Sequence, residues 1–164
     1  MIVVLDASTL INLANGEVFA KIVALPNRSF KVSEVVRQES KTVAQAIQAA
    51  TKRGDIAWVD ANLIDAEEYA DALRLWSLGP GETECILAAQ ALGCAVACDD
   101  GAARKIIRQK ITSIQLTGSI GLLRDAVSAG LLTGAQATRA YGLMKTRGGY
   151  LPDLGASDFE VSFR

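Results

Sequence analysis

Four carboxylates stand out by their placement: Asp6 and Asp99 where strands are expected to end, Glu82 where a helix is expected to start, and Glu39 on a long helix, six residues past Ser33. Asp6 follows the apolar run Ile2-Val3-Val4-Leu5, and Asp99 with Asp100 follows Ala95-Val96-Ala97-Cys98. Carboxylates gathered within a few ångströms repel one another strongly unless a cation lies among them. All-oxygen donors favour magnesium or manganese. Such an ion lowers the pKa of a bound water and neutralises charge growing on phosphate oxygens, work that a histidine does elsewhere. The chain has no histidine, which excludes serine-histidine triads, histidine general acids and most zinc chemistry.

Each acid taken alone has a plainer reading. Asp6 and Asp99 could cap helices. Glu82, in Gly79-Pro80-Gly81-Glu82-Thr83-Glu84, could be a favourable acid in a first helical turn. Glu39 could lie on a solvated helix face, and Asp100 with Arg104 has the spacing of a surface ion pair. The chemistry rests on the combination, with Asp100 and Glu84 as neighbouring alternatives to the main four.

The elements that must position these acids alternate between strand and helix. Strands are predicted at Ile2–Leu5, Ser29–Val32, Ile56–Val59, Ala95–Cys98 and Ser113–Leu116. Between them, Ser8 or Thr9 caps a short helix to Leu13, and a second helix ends near Leu25. Ser33 caps one long helix to about Lys52, bearing Glu39. Asp65 opens a helix to Leu75, and Glu82 starts one that closes at Gly93. A helix from Ala102 to Gln109 follows the fourth strand. Gly118-Ser119 and Thr133 open two last helices, and the tail after Pro152 carries weak signals. This alternation implies βαβ units, a parallel sheet and helices on both faces. In such sheets ligands sit beyond the carboxyl ends of the strands, where the strand order reverses. Two strands that both end in aspartate therefore suggest one shared site.

Composition sets the limits. The 164 residues fit one domain, half of them hydrophobic and 21% charged. Net charge is −1, so no overall positive field draws in nucleic acid. Cys85, Cys94 and Cys98 form no CxxC pair and read as buried small hydrophobes in a reducing cytosol. The apolar run before Asp6 is too short for a signal sequence, and no stretch approaches the roughly 18 apolar residues of a membrane span. The expectation is a cytoplasmic protein.

The ordered blocks resemble PIN domains, especially VapC-like toxins. Ile2-Val3-Val4-Leu5-Asp6-Ala7-Ser8 is similar to the opening strand, and Val32-Ser33 followed by Glu39 to the second acid. Gly81-Glu82-Thr83-Glu84-Cys85-Ile86-Leu87-Ala88 and Val96-Ala97-Cys98-Asp99-Asp100, with Ala103-Arg104, resemble two later blocks of one branch. Gly118-Ser119-Ile120-Gly121-Leu122-Leu123 also resembles that branch. The likeness covers roughly residues 1 to 146. Aspartate stands at the position of Glu82 in many VapC toxins.

The resemblance implies a three-layer α/β sandwich whose five parallel strands run in the order 3-2-1-4-5, with the helices from about 119 and the tail appended. It implies a ribonuclease that uses Mg2+ or Mn2+ at Asp6, Glu39, Glu82 and Asp99. Ser8, Arg104 and Lys105 are candidates for holding substrate, although Ser8 also suits a cap and the two cations a solvated face. A homodimer is implied, as is a small antitoxin that lays a basic side chain over the acids. Leu122, Leu123, Leu131, Leu132 and Leu143 read as core or as part of a partner surface. A housekeeping nuclease has the same residues. An inactive nucleic-acid-binding module and an acid-cluster phosphatase are the alternatives from other classes. A dehalogenase-like phosphatase wants aspartate at position 8, which is serine. A receiver domain wants its acidic pair after the first strand rather than the fourth.

Overall fold

A computed structural model describes residues 1–160. Five strands, β1 (Ile2–Leu5), β2 (Ser29–Val32), β3 (Ile56–Trp58), β4 (Ala95–Ala97) and β5 (Gln115–Thr117), pair in parallel in the order 3-2-1-4-5. Val3, Val4 and Leu5 stand opposite Ala95, Val96 and Ala97, so the ends of β1 and β4 lie side by side. Val3, Val4, Leu5 and Val96 are fully buried, as expected of central strands covered on both faces.

Among the described residues there are nine α-helices, seven between strands and two after β5: α1 (Ala7–Asn15), α2 (Phe19–Val23), α3 (Glu34–Glu39), α4 (Ala44–Arg53), α5 (Ala66–Trp76), α6 (Pro80–Leu92), α7 (Gly101–Lys110), α8 (Ser119–Ser128) and α9 (Gly134–Thr146). The strand order reverses at β1. Right-handed crossovers therefore send the connections to β2 and β3 over one face, and those to β4 and β5 over the other. Helices α8 and α9 pack on α1. One apolar cluster runs from Val3 to Phe159, so the last helices share the core rather than hang from it.

Four local features differ from expectation. The cap of α1 is Asp6, whose side chain accepts from the Thr9 N–H, and not Ser8 or Thr9. The long helix from Ser33 is broken: α3 ends at Glu39, Ser40 leaves helical geometry, and a 3-10 turn at Lys41–Val43 precedes α4. Serine followed by β-branched Thr42 and Val43 is a weak helical stretch. Helix α6 begins at Pro80, where a proline's missing N–H costs nothing, so Glu82 lies inside the first turn. The tail is tied down. The Tyr141 hydroxyl donates to the Pro152 carbonyl at 2.5 Å and accepts from the Leu154 N–H at 3.0 Å, while Leu151 and Phe159 are buried. The final four residues of the expected 1–164 unit lie outside the described residues.

Candidate active site

Asp6 leaves β1 with its N–H still on the sheet, donating to the Ala97 carbonyl of β4 at 3.0 Å. Its side chain then turns inward and is 1% exposed. It accepts from the Thr9 N–H at 2.8 Å and from the Ser8 hydroxyl at 2.8 Å. Burial pushes the carboxyl up to about 6. Hydrogen bonds from the Cys98 thiol, Thr9 and Ser8 oppose the rise, and the charge of Asp99 adds to it. The Cys98 thiol is pushed up in turn, by burial and then by Asp6.

Asp99 is more fully held. One oxygen accepts from the Ser119 N–H at 2.9 Å; the other accepts from the Asn12 amide at 2.9 Å and from the Ser119 hydroxyl. Its own N–H donates to Ser8 Oγ at 3.0 Å. Ser8 thus joins the two aspartates through one hydroxyl. Gly118 makes room: a Cβ there would lie 2.4 Å from an Asp99 oxygen.

Glu39 and Glu82 meet at the start of α6. The Gly81 N–H donates to Glu39 at 3.2 Å, and a Cβ on Gly81 would lie 2.0 Å from the other Glu39 oxygen. Glu82 curls back towards Gly79, where a Cβ would lie 2.3 Å from its carboxylate. Both acids use the positive end of the helix. Burial raises the Glu82 carboxyl, lessened by the Glu82 and Gly79 amides and increased by Asp100 and Glu39. Asp100 caps α7 through the Ala103 N–H at 2.8 Å. One oxygen of Glu84 is buried with no hydrogen-bond partner.

Cys85 lies near four of these acids. Its thiol, bonded to the Leu5 carbonyl, is raised first by burial and then by the charges of Asp6, Glu84, Glu39 and Glu82. Among the described residues, Asp6, Glu39, Glu82, Glu84, Asp99 and Asp100 have no ion-pair partner; the salt bridges formed use other acids. The structure therefore brings Asp6 together with Asp99, and Glu39 with Glu82, on one edge of the sheet. It does not place three acidic or sulfur side chains close enough to hold a metal ion, among the described residues. The donors nonetheless suit a hard divalent cation in kind. They are oxygens without a counter-charge, one buried carboxylate is held reluctantly ionised, and one buried oxygen is orphaned.

The residues expected to touch substrate are used differently. The Ser8 hydroxyl is committed to both aspartates. Arg104 forms no ion pair with Asp100 among the described residues. One of its nitrogens donates to the Cys98 carbonyl at 2.6 Å and the Thr117 carbonyl at 2.9 Å, clamping the ends of β4 and β5. Lys105 is exposed. Leu122, Leu123 and Leu132 are core rather than partner surface. Sequence reading passed over Asn12 and Ser119. The signal for Asn12 was a buried amide inside the apolar run Leu10-Ile11-Asn12-Leu13. Ser119 carried none beyond opening a helix.

A parallel sheet that switches order between two aspartate-ended strands, with further acids delivered by flanking helices, defines an α/β acid-cluster protein. Residues 2–157 match the model of the DUF3368 family, a PIN domain, and the chain belongs to that family. PIN domains are nucleases that act on nucleic acids, typically with a divalent metal. No curated protein matches the chain. Among the described residues, no helix is long and apolar enough to cross a membrane.

Proposed function

We propose that the chain is an endoribonuclease that cuts single-stranded or structured RNA with Mg2+ or Mn2+. The observation that carries this reading is the set of four acids around Cys85, namely Asp6, Glu39, Glu82 and Glu84, with Asp99 beside Asp6 where β1 and β4 end, none of them with an ion-pair partner among the described residues. Asp6, Glu39, Glu82 and Asp99 are the residues that would hold the cation, directly or through water, with Asp100 and Glu84 beside them. When bound, the ion supplies activation of a water and neutralises charge on the scissile phosphate. Asp6 and Asp99 form the fixed half of the set, locked by Ser8, Thr9, Asn12 and Ser119. Glu39 and Glu82 form the other half, each reaching in from a helix end and held by backbone N–H groups at the start of α6.

The finer reading is a toxin of a type II toxin–antitoxin pair, acting in the cytoplasm as a homodimer and blocked by an antitoxin's basic side chain at the acids. It rests on the likeness of the sequence blocks to VapC-like toxins. The enzymatic reading is tested with purified chain and a labelled RNA: cleavage should require Mg2+ or Mn2+ and stop with chelator. Cleavage that persists in chelator sinks the metal assignment. Growth arrest on expression, relieved by an adjacent gene, would mark the toxin. Harmless expression of folded, active enzyme would mark a housekeeping nuclease.

A further inference from the structure

A chain of net charge −1 must still hold a polyanion. Asp99 lies at the junction of two adjoining open grooves of about 460 Å3 and 660 Å3. Both are lined by Asp99, Arg104, Arg108 and the segment Tyr150–Pro152. Their cations are not equivalent. Arg104 is fixed on two carbonyls. Arg124, in the first groove, pairs with Asp158, and Lys145, in the second, pairs with Asp153. Arg108, one helical turn beyond Arg104, is exposed and has no acidic partner among the described residues.

The same grooves are lined by Tyr150, 96% exposed. It is displayed by a braced segment. Gly148 takes a left-handed turn at φ +95°, and Gly149 lies so close to α1 that a Cβ would sit 2.6 Å from Asn12 Oδ1. The buried Leu151 and the two Tyr141 hydrogen bonds hold the far side. Asn12, against which this turn rests, is the residue that donates to Asp99. An aromatic face and a guanidinium without an acidic partner thus line the same two grooves, which also reach Asp99.

We propose that these grooves seat a single-stranded nucleic-acid segment, an unpaired base stacking on Tyr150 and a backbone phosphate pairing with Arg108. The proposal rests on the nuclease reading and adds where its substrate lies. Stacking on an exposed ring needs a base face that a duplex keeps covered, and a lone arginine suits a phosphate oxygen. Of the lining groups without a salt-bridge partner among the described residues, the cations Arg104 and Arg108 outnumber the one acid, Asp99, which disfavours a basic peptide as occupant.

The test uses the full chain in chelator, with short labelled single strands carrying 2-aminopurine as a stacking reporter. Wild type should bind and quench the reporter. Tyr150→Ala should lose the quench and about ten-fold in affinity, and Tyr150→Phe should keep both. Arg108→Ala should lower the salt dependence of binding by about one phosphate. Both side chains are exposed, so melting temperatures should stay at the wild-type value. RNA and DNA strands should bind alike, because neither contact reads the sugar. A strict preference for either sugar, equal binding of blunt duplex, or unchanged variants would overturn the proposal. If wild type cleaves RNA with metal while the variants bind normally, the groove falls and the nuclease stands. If Tyr150 and Arg108 control binding but no cleavage occurs under any metal, the groove stands and the nuclease reading falls.

Discussion

The Asp99 N–H donates to Ser8 Oγ across 3.0 Å, joining the end of β4 to the first turn of α1. The same hydroxyl donates its proton to Asp6. Two acids of like charge are therefore held together by a neutral group that satisfies one as donor and the backbone of the other as acceptor. A hydroxyl is the smallest group that can do both.

Ser8→Ala removes that link. The Asp99 N–H loses its partner and Asp6 loses a donor, so stability should fall by about 1–2 kcal/mol. Loss of a hydrogen bond to the charged form should also raise the Asp6 carboxyl above its wild-type value of about 6. The acid limb of a pH–activity profile should move upward, and urea unfolding should show the destabilisation. Unchanged stability with an unmoved limb would mean that water replaces the hydroxyl.

Gly81→Ala separates Glu39 from the fold. The nearest atoms to a Cβ at Gly81 belong to the Glu39 carboxylate, the far end of a flexible side chain. Backbone propensity favours alanine inside α6 by roughly 0.5–1 kcal/mol. The variant should be at least as stable as wild type in thermal melts, yet lose activity because Glu39 is pushed out of place. Retained activity would remove Glu39 from the proposed metal set.

Much of this arrangement was legible in the sequence. Buried central strands read as β-branched or small apolar runs, so β1 and β4 and the aspartates that follow them are visible as letters. The strand order came with the resemblance to PIN domains. What was not legible depends on contacts between distant residues. Nothing local says that Arg104 will grip the carbonyls of Cys98 and Thr117 in place of Asp100 four residues away. The break after Glu39 has only weak local causes, and its role emerges from the Gly81 N–H, 42 residues on. Asn12 and Ser119 matter because both converge on Asp99, which no spacing reveals. The tail reads as weak because its anchors are single residues, Tyr141, Leu151 and Phe159, without a period.

Asp6→Asn should abolish cleavage and stabilise the apo protein in a pH-dependent way. The folded carboxyl titrates near 6 against an ordinary 3.8. The fold therefore binds this proton more tightly than the unfolded chain does. Native stability from this group is gained as pH falls from 6 towards 3.8 and lost as pH rises through 6. At pH 7 the ionised Asp6 costs on the order of 2–3 kcal/mol relative to a neutral group. Asparagine carries no such cost and still caps a helix. Denaturant curves should show the variant more stable than wild type at pH 7, with the gap closing below pH 4. A gap that is constant with pH would assign the effect to packing instead.

Metal addition completes the same thermodynamic cycle. A divalent cation at Asp6 favours its ionised form, so binding near pH 5.5 should release a proton that binding near pH 8 does not. Calorimetric titration with Mn2+ in two buffers of different ionisation enthalpy measures that release directly. Wild type should release a substantial fraction of a proton at pH 5.5 and almost none at pH 8. Glu82 adds a smaller part, since its carboxyl is also raised. In Asp6→Asn most of the release should vanish and affinity should drop by at least about ten-fold. The wild-type melting temperature should rise with Mn2+ at pH 8, where bound cation offsets the charge cost at Asp6. Binding without proton release at pH 5.5 would place the cation away from Asp6.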